Sequence, residues 1–148
     1  MTLRWKTSID HFASFRFADP AAGPRAHARS VWDFAKTIHQ GLAFPDAQIA
    51  DPFGDEDISM FSIAFGASLF NGYEVNVGVS PGRLAADRLW DLQVQVPDAG
   101  MREASWRPKL ETMKAVERKL HARLLELGAL DLRWRLLERR DDPGQATP

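Results

Sequence analysis

The middle of the chain contains the pattern that most restricts its fold. Residues 58–70 and 73–80 are two largely apolar segments on either side of Asn71-Gly72. This dipeptide is favoured in two-residue hairpin turns, because both turn positions need positive φ and Asn and Gly adopt it at little cost. The sequence therefore predicts an antiparallel β-hairpin in this region.

A two-residue turn would also fix the register of the hairpin, with Ala64 opposite Val79. The valines of the second strand would then share one face with small residues. The large apolar side chains of the first strand would lie on the other face; they are Phe61, Ile63 and Phe65. Both faces would thus carry large apolar groups, which leaves a surplus apolar face that a second copy of the chain could cover.

Strict alternation of apolar and polar side chains follows in residues 90–96. This pattern is typical of a strand with one buried and one solvated face. Together with the hairpin it predicts a three-stranded antiparallel meander over residues 58–96. Period-two alternation also occurs over residues 3–17 and 130–136, and predicts terminal strands.

Two other segments have helical periodicity. The first covers residues 24–40, with Pro24 suited to the first turn and Gly41 to the end of the helix. The second begins at Ser105, predicted as the N-cap, and ends before Gly128. One stripe of the second helix is apolar and consists of Leu110, Met113, Leu120, Leu124 and Leu127.

The resulting element order is β(β)-α-βββ-α-β. Strands clustered between two helices predict an α+β fold with a mostly antiparallel sheet, formed by the central meander and the terminal strands. A chain of 148 residues has the usual length of one domain. We expect that domain to cover residues 1–139 and residues 140–148 to form a disordered tail.

The sequence contains no recognisable catalytic or cofactor motif. It has no cysteine, which excludes disulfides, thiolate metal ligands and cysteine nucleophiles. Gly-rich phosphate loops, nucleophile elbows and zinc-protease motifs are also absent. Ser8, Asp10 and His11 have the residue types of a catalytic triad. Because they are near neighbours on one strand or turn, their side chains do not easily converge on one proton path, so we do not expect a triad here. We therefore expect no cofactor and a non-enzymatic function.

The four histidines also lack metal-ligand spacing. His27 and His39 fall on the first predicted helix about 18 Å apart, at about 1.5 Å of rise per residue, which is too far to share a metal ion. His121 is expected on a solvated helix face. These positions predict ordinary surface or half-buried histidines and no bound metal.

Charge is distributed unevenly along the chain. Residues 41–100 carry nine acidic and two basic side chains. Residues 1–40 carry three acidic and six basic side chains, and residues 101–148 carry eight acidic and eleven basic ones. An acidic centre argues against binding nucleic acid. The N-terminal segment has no apolar signal sequence, and the longest nearly apolar run is too short to cross a bilayer, so we expect a cytoplasmic location without membrane binding.

The acidic side chains concentrate in residues 43–57, which also hold two prolines and a glycine and are predicted to form a loop. Clustered charge steers association with an oppositely charged protein. Trp106, just before the second helix, is a candidate surface anchor because interface hot spots favour tryptophan. The predicted partner-binding residues are Asp46, Asp51, Asp55, Glu56, Asp57 and Trp106.

These features predict a non-enzymatic module that docks its acidic loop on a basic protein partner. A small inhibitor would have this profile, for example an immunity protein that shields the basic cleft of a toxin nuclease. Two alternatives stay open. One is a small-ligand domain or minor enzyme with a pocket between helix and sheet, using Glu74, Asn76 or His39. The other is a homodimeric, chaperone-like scaffold that pairs through the surplus apolar face.

Overall fold

The computed structural model of the chain describes residues 8–17, 30–43, 47–49, 53–54, 59–65, 73–81, 90–97, 102–136 and 144–148. Two helices and seven strands lie in these ranges. In chain order they are β1 (Ile9–Phe17), α1 (Ser30–Gln40), β2 (Ala47–Ile49), β3 (Phe53–Gly54), β4 (Ser59–Phe65), β5 (Tyr73–Pro81), β6 (Trp90–Val96), α2 (Glu103–Glu126) and β7 (Ala129–Leu136). The chain therefore has the predicted α+β fold.

All seven strands belong to one antiparallel sheet with the order β2-β4-β5-β6-β1-β7. The short strand β3 also pairs with β4, beside the start of that strand, whereas β2 pairs with its end. The predicted meander is present as β4-β5-β6. Strand β1 pairs with both β6 and β7, so the terminal strands complete the sheet.

Both helices pack on the same face of this sheet, called the covered face below. Helix α1 contacts β4 and β5, and α2 contacts β6 and β7. In β6 every second residue is apolar and buried, as its alternating sequence predicts. The opposite face, called the open face, carries polar side chains, and there Ser62 donates a hydrogen bond to Asn76 Oδ1 (2.8 Å).

The predicted register of the β4–β5 hairpin is wrong. Ala64 lies opposite Glu74, not Val79, and the last pair before the connection is Phe65 opposite Tyr73. The connection therefore spans residues 66–72, and the predicted turn at Asn71-Gly72 lies outside the described residues. Because the register differs by an odd number of positions, the two faces exchange.

This exchange removes the surplus apolar face. Phe61 and Ile63 point to the covered face beside Val75 and Val77, and all four are fully buried. The side chain of Phe65 is not among those described. The homodimeric scaffold required Phe61 and Ile63 on an exposed face, and the structure places them in the core under α1.

The prediction of a loop over residues 43–57 is also wrong, because β2 and β3 lie within it. They have three and two residues and pair along the outer side of β4. Strands this short contain too few side chains to show an alternating pattern. Their pairing depends on backbone groups, which the sequence does not distinguish.

Helix α2 begins earlier than predicted. Arg102 occupies the N-cap position without a capping side-chain hydrogen bond, and Ser105 lies inside the first turn. The predicted end is confirmed, because Gly128 follows the helix with φ of +89°, a conformation in which glycine has no steric penalty. The buried stripe of α2 includes Met113, Leu120 and Leu124, as predicted, and also Glu117.

A β-bulge interrupts the pairing of β7 with β1. The register shifts between Ser14 and Arg16, and Asp131 on the opposing strand has φ of +53°. Arg16 Nε binds the Asp131 carboxylate at this point. The extra residue changes which side chains of β7 face the core, so Leu132 is buried and Leu130 is exposed.

The last five residues lie along the outer edge of β7. Gln145 and Trp134 exchange two backbone hydrogen bonds (2.8 and 2.9 Å). Residues 144–148 of the predicted disordered tail thus belong to the described residues. Residues 140–143 of that tail lie outside the described residues. The domain boundary at residue 139 stays a prediction. In the part of the chain that the structure describes, no helix has the length and apolar composition needed to cross a membrane.

The corrected register makes a prediction for stability. Phe61→Ala should lower the free energy of unfolding by about 3–5 kcal/mol, because it leaves a cavity in the core. Ser62→Ala, one residue away on the open face, should cost only about 1 kcal/mol for its lost hydrogen bond. Urea unfolding of both variants measures the difference, and equally small losses would contradict the burial of Phe61.

Candidate functional site

His11 is a polar residue on the covered face. Alternation along β1 places it on the same side as Ile9 and Ala13, which are buried. Its neighbours in the sheet are Val94 on β6 and Leu136 on β7. An imidazole in this position lies among apolar groups near one end of the sheet and needs a polar partner.

Glu117 supplies that partner from α2. Its side chain is only 1% exposed, because it lies on the same helical stripe as Met113 and Leu120. The distance from His11 Nδ1 to Glu117 Oε1 is 2.6 Å. Burying an ionised carboxylate costs several kcal/mol unless it is paired and hydrogen-bonded. The pair therefore fixes a charged group of α2 against β1.

The hydrogen bond also determines which nitrogen of His11 can act on other groups. With Nδ1 held by the carboxylate, Nε2 is left to accept or donate a proton. Among the described residues Nε2 has no hydrogen-bond partner, and the His11 side chain is 13% exposed. The arrangement therefore leaves Nε2 as a hydrogen-bonding atom for a molecule that reaches it.

A cleft of about 440 Å³ borders this pair. It lies where the start of β1, the middle of α2, the end of β7 and Gly144–Pro148 meet. Its apolar walls come from Ile9, Leu110, Trp134 and Leu136. The cleft thus combines an apolar surface with a buried His–Glu pair.

The Ser8, Asp10 and His11 side chains line this cleft but do not form a triad. Ser8 Oγ donates to Asp10 Oδ2 (2.9 Å), whereas His11 binds Glu117. Asp10 Oδ1 accepts a second hydrogen bond from Gln93 Nε2 (3.2 Å), on the open face. The serine hydroxyl is therefore directed to a carboxylate and not to the imidazole, in agreement with the expectation from the sequence.

A second histidine supports the wall of the cleft. Trp134 Nε1 donates a hydrogen bond to His121 Nδ1 (3.0 Å), one helical turn beyond Glu117. Burial lowers the pKa of His121 from its usual value of 6.5. The neutral ring is also the form that can accept from the indole. His121 is thus half-buried against β7, where the sequence predicts a solvated position.

Of the predicted partner-binding residues, only Trp106 lies within the part of the chain that the structure describes. Asp46, Asp51, Asp55, Glu56 and Asp57 lie outside the described residues, so their docking role stays a prediction. Trp106 is half-buried and packs against the core.

The polar groups predicted for a helix–sheet pocket are also dispersed. Glu74 is exposed, Asn76 is on the open face, and the ring of His39 packs edge-on against Phe61 at 5.4 Å between centroids. None of these three side chains lines the cleft. Within the described ranges, no three His, Asp or Glu side chains lie close enough together to hold a metal ion.

Comparison with known proteins adds no assignment, because no family model, curated protein or solved structure matches the chain. The residues of the site must therefore be assigned from geometry. One sequence signal for them exists: Glu117 occupies a core position in the apolar stripe of α2, between Met113 and Leu120. A carboxylate in such a stripe needs a buried partner, and this requirement points to a polar group on the facing sheet.

The environment of His121 predicts a pH dependence of stability. Its pKa is lower in the folded chain than in the unfolded chain, so its contribution is present above about pH 6.5 and is lost as the pH falls below that value. The free energy of unfolding should therefore decrease from pH 7.5 to pH 5.5. In His121→Gln, whose amide oxygen can still accept from Trp134, this decrease should be smaller.

Arg118→Gln provides the control, since it changes an exposed, non-titrating side chain on the same helix. Urea unfolding at several pH values should show the wild-type dependence for this variant. If His121→Gln retains the full dependence as well, another group is responsible.

Proposed function

We propose that this chain binds a small organic molecule in the cleft beside His11 and Glu117. The observation that carries the proposal is the buried His–Glu pair at the wall of a cleft that Leu110, Trp134 and Leu136 also line. Small-molecule sites typically have volumes of about 300–1,000 Å³ and combine apolar walls with a few convergent polar groups. The cleft falls within this range.

The energetics of the pair support a role beyond holding the fold together. Replacing both partners of a buried hydrogen bond by apolar groups of the same shape can be nearly neutral or stabilising. The neighbours of the pair, Met113, Leu120, Ile9 and Val94, are apolar and show that the fold could have used apolar side chains here. Titratable groups brought together in a cleft are candidates for binding and proton transfer.

A fragment screen by NMR tests this function. Compounds that bind should shift the signals of His11, Leu110 and Trp134. Leu110→Trp narrows the cleft and should weaken their binding by at least about tenfold, as expected when a bulky group displaces a ligand that contacts the wall. Leu125→Trp places the same side chain on an exposed position of α2, at 53% exposure in the wild type, and should leave binding unchanged.

Two results would argue against the proposal. One is a screen in which binding compounds shift signals elsewhere but not around the cleft. The other is equal binding by the Leu110→Trp and Leu125→Trp variants.

A second candidate function has an observation of its own. We propose that the acidic segment, residues 46–57, docks on a basic protein in the cytoplasm, as an inhibitor or immunity protein would. Phe53 lies within this segment on β3 and is 59% exposed, the largest exposure of a large apolar side chain among the described residues. Its carbonyl oxygen accepts a hydrogen bond from Ser59 Oγ (3.1 Å), which holds β3 at the side of the sheet. An exposed aromatic side chain that acidic residues flank in the sequence suits a partner with a basic, partly apolar surface.

This second function is tested by comparing how well the wild-type chain and its variants capture a basic protein partner. Phe53→Ser and the triple change Asp55→Lys, Glu56→Lys and Asp57→Lys should each abolish capture of a basic protein that the wild-type chain retains at low salt. Glu74→Lys reverses an exposed charge on β5 and should retain it. Capture that all variants share, or a captured partner that is acidic, would contradict the docking function.

A further inference from the structure

The charged groups that line the cleft differ in how fully they are already bound. Both carboxylate oxygens of Asp10 accept hydrogen bonds, from Ser8 and Gln93. Arg135 donates to Ser14 Oγ (2.6 Å), and its guanidinium lies 5.8 Å from the centre of the Phe12 ring. Each of these charges is engaged within the fold, so it is less suited to holding a ligand.

Lys114 differs from them. It lines the cleft from α2, three residues before Glu117, and its side chain is exposed. Among the described residues it forms no ion pair, although Glu117 is on the same side of the helix. The cleft that His11 lines therefore also offers one ammonium group that forms no ion pair among the described residues.

We propose that the cleft takes an amphipathic monocarboxylic acid, and this inference rests on the proposed small-molecule function. Lys114 binds the carboxylate of the ligand, and His11 Nε2 donates a hydrogen bond to it. The apolar body of the ligand lies against Leu110, Trp134 and Leu136, which line the same cleft. One ammonium and one imidazole match one carboxylate, whereas a neutral head group would leave Lys114 without a counter-charge.

The hydrogen bond to His11 determines the state of the ring in the complex. A ring that donates Nδ1–H to Glu117 and Nε2–H to the ligand carboxylate is an imidazolium. The charged residues that line the cleft with His11 are Glu117 and Lys114 on α2, Asp10 on β1 and Arg135 on β7. Of these, the Glu117 carboxylate contacts the ring, at 2.6 Å from Nδ1.

Calorimetry with octanoate and octanamide tests the proposal on the full chain at pH 7.5. Octanoate should bind about tenfold more tightly than octanamide, which has the same body and a neutral head. Lys114→Gln should weaken octanoate binding about tenfold without affecting octanamide, and Arg118→Gln should affect neither.

Two results would overturn this inference. One is equal affinity for octanoate and octanamide, with the binding of both weakened by Leu110→Trp. This result would show that the cleft binds small molecules without selecting an acid. If Lys114→Gln left octanoate binding unchanged, Lys114 would not be the counter-charge of the ligand carboxylate. In both cases the cleft would still bind small molecules, whereas a fragment screen without signals at the cleft would overturn the proposed function itself.

Discussion

The architecture depends on the face of the sheet that the two helices cover. Both helices pack on that face, so most of the large apolar side chains of the inner strands point to it. The register of β4 and β5 satisfies this condition by aligning Phe61 with Val77 and Ile63 with Val75. For the same reason, a polar residue on the covered face lowers the free energy of unfolding unless it forms a hydrogen bond.

Among the described residues, His11 and Glu117 form a hydrogen-bonded pair of titratable side chains on the covered face, beside the cleft. The pair is buried towards the core, where Ile9 and Leu120 surround it, and borders the cleft on its other side. Removing one member would leave the other polar group buried without its hydrogen bond, which costs about 1–3 kcal/mol or more. The position therefore combines a hydrogen-bonded imidazole with a cleft beside it, which is the arrangement that the proposed small-molecule site requires.

Alternation and end signals in the sequence predicted the parts of the fold that depend on local chemistry. Residues 90–96 form β6, and Gly128 ends α2. The hairpin register could not be predicted because it depends on the length of the connection between β4 and β5, and the bulge at Asp131 depends on the partner strand. The site was missed for a similar reason: Glu117 stands out in its stripe, but His11 is 106 positions away along the chain, and only the packing of α2 on the sheet joins them.

The central claim is that Glu117 holds His11 by Nδ1 and leaves Nε2 without a hydrogen-bond partner among the described residues. Nitrogen-15 NMR of the imidazole rings tests this claim most directly, because it reports the protonation state of each ring nitrogen. The account predicts that His11 carries its proton on Nδ1 and that this state is lost in Glu117→Gln. A His11 ring that shows the mixture of tautomers found in a solvent-exposed histidine, and that does not respond to Glu117→Gln, would contradict it.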